Sequence, residues 1–202
     1  MLNGRDKKER ILKLVRKSGV LSTGEVRAQG IHHQYLRQLC AERKLIRVGR
    51  GRYTLPDSKV TPYHGLALAS KAIPKGVICL LSALRFHEIG TQAPHEAWMA
   101  IDRRAARPRI EYPKIRIVRF SGRAYAEGFD IHNIECVPVR VYNPAKTVTD
   151  CFKYRNKIGL DVALEALREV LRDRKCTSDE LWRYAGICRV REVMRPYMEA
   201  TV

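Results

Sequence analysis

Apolar and polar residues in the first quarter of the chain alternate at helical spacing and then switch to the shorter spacing of strands. Ile11, Leu12, Leu14 and Val15 repeat at helical intervals and predict a first helix over about 7–17. Ser22 followed by Glu25 has capping-box spacing, in which each side chain satisfies an orphan N–H at a helix start. A short helix over 23–28 is therefore expected, ended by the backbone freedom of Gly30. Ile31 is placed to plug the gap before a second helix over about 33–43, where Leu36, Leu39 and Cys40 share one face. His33, Gln34, Arg37 and Gln38 fall on the other. Leu45, Ile46 and Val48 then lead into Gly49-Arg50-Gly51, and Tyr53 and Leu55 follow, as in a hairpin with glycines at its tip. Helix, turn, helix and hairpin in that order predict a winged helix-turn-helix.

The remainder alternates differently. Pro56 to Lys59 and Thr61-Pro62 read as a linker, so two domains are expected, 1–57 and 62–202. A helix over 63–73 is stopped by Pro74, a strand over 77–80 follows, and Ser82 is placed to cap a helix through Glu88, ended by Gly90. Strands are expected over 96–101, 115–120 and 134–142, the last at a sheet edge because Pro138 cannot donate to a ladder. Asn143 and Pro144 suit the cap and first position of a helix running to about 154. An amphipathic helix over 161–174 and a Thr177/Glu180 capping box come next, and a last helix over 190–199 is bent or ended near Pro196. Strands followed by helices predict an α+β class, with a mixed α/β domain behind the winged helix.

Charge sharpens this picture. The 202 residues carry 39 Lys and Arg against 21 Asp and Glu, a net +18. Residues 1–57 hold 14 basic and 5 acidic side chains, or +9, so half the excess lies in the predicted winged helix. Such an excess points to a polyanion, with double-stranded DNA ahead of a membrane surface because no basic amphipathic anchor stands out. The N-terminus lacks the apolar core of a secretory signal, and no apolar run approaches a membrane span. The six cysteines contain no C-x-x-C pair and read as reduced core thiols in a cytoplasm, with no metal site expected.

Candidate DNA contacts follow. Arg37 and Gln34 are the first choices for base edges, Arg to guanine and Gln to adenine, with His33 and Gln38 beside them. His32 is expected at the cap, in reach of phosphate, and Tyr35 either packs inward or meets phosphate. Ser22 and Thr23 stand at a helix N-terminus, where phosphate contact and simple capping are equal alternatives. Arg47, Arg50 and Arg52 surround the hairpin tip. A second cluster, Arg103, Arg104, Arg107, Arg109, Lys114, Arg116, Arg119 and Arg123, is interrupted only by Asp102 and Glu111. It is either a solvated face or a second surface for DNA, RNA or a protein partner. On the helix after Asn143, Lys146 and Lys153 are candidates for a partner surface, although Lys146 and Asp150 are four apart and suited to pairing.

The winged-helix half, YHGLALASKAIPKGVICLLSALRFHEIGTQAPHEAWMAI, VRFSG and VPVRVYNPAKTVTDCFKYRNKIGLDVALEALREVLR together resemble the AbiEi antitoxins, over about 8–198. PAKTVTDCFKYRNKIG, 144–159, is the most specific part. The resemblance implies a bacterial regulator whose winged helix binds inverted repeats in its own promoter and represses it. It also implies a C-terminal domain that counters a nucleotidyltransferase-like toxin, without need of a stable toxin complex. One departure stands out: Glu135-Cys136 replaces the glycine turn expected before VPVRVY.

No cofactor and no catalysis are expected. The chain has no phosphate-binding glycine loop or dinucleotide fingerprint, no metal-spaced histidines and no acidic pair followed by Glu-x-Lys. No long heptad supports a constitutive dimer, so the expected state is a monomer or weak dimer that pairs on DNA. The alternatives are a stand-alone regulator, a protein- or RNA-interaction module working through the C-terminal basic surface, and, most remotely, a metal-dependent nuclease.

Overall fold

The structure, a computed structural model, describes residues 3–56, 61–110 and 112–200. The expected linker at 57–59 and Glu111 lie outside the described residues. The N-terminal unit contains α1 (Gly4–Ser18), β1 (Leu21–Ser22), α2 (Thr23–Ala28), α3 (Gln34–Ala41), β2 (Ile46–Gly49) and β3 (Arg52–Thr54). Its three strands run in the order β1-β3-β2, all antiparallel. Ile11 and Val15 of α1 meet Val26, Leu36 and Leu39 in one core, and Ile31 fills the turn between α2 and α3 as its position suggested. Gly30, at φ 69, makes that turn.

The second unit follows with α4 (His64–Ala72), β4 (Val77–Ile78), α5 (Leu80–Phe86), β5 (Ala97–Asp102), β6 (Ile115–Phe120) and α6 (Arg123–Ala126). It continues through β7 (Phe129–Ile134), β8 (Val137–Tyr142), α7 (Pro144–Lys153), α8 (Arg155–Ile158), α9 (Leu160–Arg172), α10 (Ser178–Cys188) and α11 (Arg191–Glu199). The strands form a mixed sheet of order β6-β5-β4-β8-β7. Period-2 alternation explains its two layers. Trp98 and Ala100 of β5 face the core made with α7, α9 and α10. Met99 and Ile101 face the opposite core, with Ala67 and Ala69 of α4. The chain is therefore of α+β class. Among the described residues, no helix is long and apolar enough to cross a membrane.

Several elements differ from expectation, each for a tertiary reason. The 134–142 segment is the end of one strand and the whole of the next, joined by Glu135 and Cys136 at φ 52 and 62. The turn forms without glycine at both left-handed positions. Glu135 is anchored by its carboxylate, which accepts from Thr61 N at 2.8 Å and meets His64 Nδ1 at 2.6 Å. β8 is interior rather than an edge. It tolerates Pro138 because the two-residue β4 reaches β8 only at Val141. Ser82 does not cap α5, which starts at Leu80. It lies inside the helix, where its Oγ accepts from Trp98 N at 2.9 Å and ties α5 to β5.

The two units touch at defined points. Gly19, at φ 64, lies so close to the Glu135 carbonyl that a Cβ would come within 1.7 Å of its oxygen. Lys71 of α4 pairs with Glu25 of α2 at 2.6 Å.

Candidate nucleic-acid interface

The candidate face begins with how α2 and α3 are held. Ser22 and Glu25 form the reciprocal capping box, Glu25 N donating to Ser22 Oγ at 3.2 Å and Ser22 N to Glu25 Oε2 at 2.7 Å. Burial raises and the Lys71 and Ser22 hydrogen bonds lower the Glu25 carboxyl, with a net downward shift. Thr23 N and Oγ1 both donate to the Gly51 carbonyl, at 2.8 and 3.2 Å. These contacts pin the hairpin tip to the start of α2, and Gly51 takes φ 67 there. In this structure Ser22 caps α2 and Thr23 holds the wing.

At the start of α3, the helix cap is His33, without a capping hydrogen bond of its own. The neighbouring His32 supplies it, its Nδ1 accepting from Gln34 N at 3.3 Å. The two imidazoles lie 4.3 Å apart. The His33 pKa is lowered by local desolvation and by His32, Arg27 and Arg37. Gln34, Arg37 and Gln38 are all exposed, while Leu36 and Leu39 are fully buried on the opposite face. Tyr35 packs inward against the core and carries Lys7 Nζ 5.7 Å from its ring centre. Arg27, exposed at the end of α2, completes the hollow around His32 and His33. Sequence reasoning missed it; its position one turn before Gly30 was the available signal.

Glu42, at the end of α3, accepts from Lys8 of α1 at 2.5 Å and from Lys44 at 2.9 Å. These two ammonium groups pull its carboxyl from 4.5 to about 2. Because the folded value is depressed, the contribution is present above the free carboxylate value and is lost as pH falls towards 2. An NMR titration of the Glu42 carboxyl is expected to give a midpoint near 2 in low salt. A midpoint at the ordinary value would dissolve this α1–α3 clasp.

On the wing, Arg47 and Arg50 are exposed, and Arg47 Nε donates to the Gly49 carbonyl at 3.1 Å. Arg52 is half-buried and donates to the Tyr112 carbonyl at 3.0 Å, so it braces the wing against the second unit. Desolvation lowers its pKa. Arg50, Arg52 and Arg109 line one hollow, which brings the wing and the second basic cluster together.

Within that cluster Arg103, Arg104, Arg107, Arg109, Arg116 and Arg119 are all exposed. Lys153 is exposed as well. Lys146 is not a surface residue: it is 0% exposed, paired with the equally buried Asp150, and enclosed by the Phe120 and Tyr142 rings. The expected pairing at i,i+4 holds, and the expectation of a partner surface at Lys146 is corrected.

The fold and this face define a winged-helix protein carrying an α+β second unit. Residues 9–56 match the family model of the AbiEi antitoxin transcriptional regulators, the family that the sequence resembles. That match lies within the N-terminal unit. No curated protein matches the chain. Among solved structures, the RV2827C protein from Mycobacterium tuberculosis aligns with a TM-score of 0.59 at 12% identity, covering 89% of this chain and 71% of that one. At that identity the likeness is one of fold.

Proposed function

We propose that this protein is a sequence-specific DNA-binding repressor that autoregulates its own promoter in a bacterial cytoplasm. In the same reading it acts as the antitoxin of an AbiE-like pair, countering a nucleotidyltransferase-like toxin. The observation that carries the DNA-binding part is the exposed Gln34, Arg37 and Gln38 face of α3, with half-buried His33 at its cap, held between the Gly30 turn and a wing pinned by Thr23. Such a helix enters the major groove with its N-terminal residues at base edges while Arg47 and Arg50 follow the backbone. The family match supports the regulatory reading.

A gel shift of the purified protein on its own upstream DNA tests this. A specific complex that survives scrambled competitor is expected, with log K falling against log salt by about 0.9 per phosphate neutralised. Binding that scrambled DNA abolishes would reduce the α3 face to generic charge. The exposed arginines around β6 favour a second reading, a stand-alone regulator or interaction module without a toxin. Neutralisation of a co-expressed neighbouring toxin by the full chain, and its loss on deleting the second unit, separates the two.

A further inference from the structure

β6 is one of the two edge strands of the five-stranded sheet. Beside it lies a cleft of about 750 Å³, lined by Trp98, Arg107, Arg116, Arg119, Tyr154 and Lys157 together with the β6 backbone. Its lining holds four cations and no carboxylate. Arg116 is positioned by the buried Trp98, its guanidinium 4.5 Å from the ring centre, and by Glu96 at 3.3 Å. Arg119 closes the 102–105 bend onto β6, donating to the carbonyls of Arg103 at 2.7 Å and Ala105 at 2.9 Å. The Tyr154 hydroxyl donates in turn to the Arg119 carbonyl at 3.3 Å, which ties the end of α7 to the same wall. Arg107 and Lys157 are exposed, and among the described residues neither has a carboxylate partner. Tyr154 gives the cleft an aromatic wall beside the cations, with Lys157 Nζ 5.6 Å from its ring centre.

We propose that this cleft is a nucleotide-binding site, separate from the α3 face, which grips phosphate with Arg107 and Lys157. The volume falls in the range of about 300–1,000 Å³ of small-ligand pockets. Arginine donors set in a fork match phosphate oxygens, and a concave, single-sign wall concentrates the field on an anion. The aromatic ring of Tyr154 takes the base or sugar. Arg119 acts as a positioning residue, because its donors are already engaged by the bend that it closes. The phosphate belongs either to a free nucleoside triphosphate or to a nucleotide within a single strand, and these are separable.

Calorimetric titration of the full chain with each of ATP, GTP, CTP and UTP, and with a 5′-phosphorylated oligothymidylate, decides between them. The comparison variants are Arg107→Ala with Lys157→Ala, and Arg37→Ala with Gln38→Ala. Binding of a free triphosphate that weakens at least ~10-fold in the cleft variant and is unchanged in the α3 variant supports the site with free nucleotide as its ligand. The same pattern for the oligonucleotide alone supports it with a strand as the source. No binding by either probe, or binding that the cleft variant leaves unchanged or that both variants weaken equally, overturns it. Operator binding is read separately by gel shift, so failure of this site leaves the repressor reading standing, and the converse holds.

Discussion

Replacing Arg37 and Gln38 with alanine is expected to remove specific operator binding while leaving weak, salt-sensitive binding to any duplex. Both side chains are exposed on α3, and no hydrogen bond or ion pair within the described structure holds either. Folding should therefore be unaffected, within the ~0.5 kcal/mol typical of surface changes. A base-edge contact is worth about 1–3 kcal/mol, so each substitution costs roughly 5- to 150-fold in Kd on the cognate site. The residual binding comes from phosphate contacts made by the wing and keeps its salt slope. Competition gel shifts at two salt concentrations measure both quantities. Unchanged operator affinity in the double variant would remove α3 from the interface. Arg52→Ala provides a contrast: because Arg52 donates to Tyr112, its loss should loosen the wing against the second unit.

Lys146→Met is expected to destabilise the second unit by about 3–5 kcal/mol at neutral pH, the cost of leaving a buried charge without its partner. Lys146 and Asp150 are each 0% exposed. The ammonium lies 4.1 and 4.7 Å from the ring centres of Tyr142 and Phe120, and Cys188 Sγ donates to the second Asp150 oxygen at 3.3 Å. Burial pushes the Asp150 carboxyl up, and Lys146 is the largest influence holding it down. Removing Lys146 raises it further. A carboxyl whose folded value is raised gives stability that is fully present below the unfolded value and is lost as pH rises through the folded one. The deficit of the variant should accordingly be smaller at acid pH and grow towards neutrality. Urea unfolding of both proteins across that range checks the sign, and a deficit that shrinks as pH rises would contradict it. Lys146→Met combined with Asp150→Leu should recover most of the loss, since an apolar pair of similar volume carries no desolvation penalty.

What the chain determined by itself is local. Ser22 with Glu25, Thr177 with Glu180 and Asn143 before Pro144 became helix starts because a cap needs only side chains within three residues of the N–H groups they satisfy. The polar face of α3 was legible for the same reason, since three-and-four spacing decides which side faces a core. The Glu135-Cys136 turn was not, because its left-handed backbone is held by Thr61 and His64 from far back in the chain. Pro138 suggested an edge, but only the short reach of β4 decides which strand needs its missing donor. Lys146 and Asp150 were legible as a pair; that Phe120, Tyr142 and Cys188 close around them is a matter of packing. The cleft beside β6 draws Trp98, Arg107, Arg116 and Lys157 from separate elements, and no local pattern joins them. Spacing along the chain sets what each element is and which side it buries, whereas the convergence of distant side chains exists only once the sheet and its helices have packed.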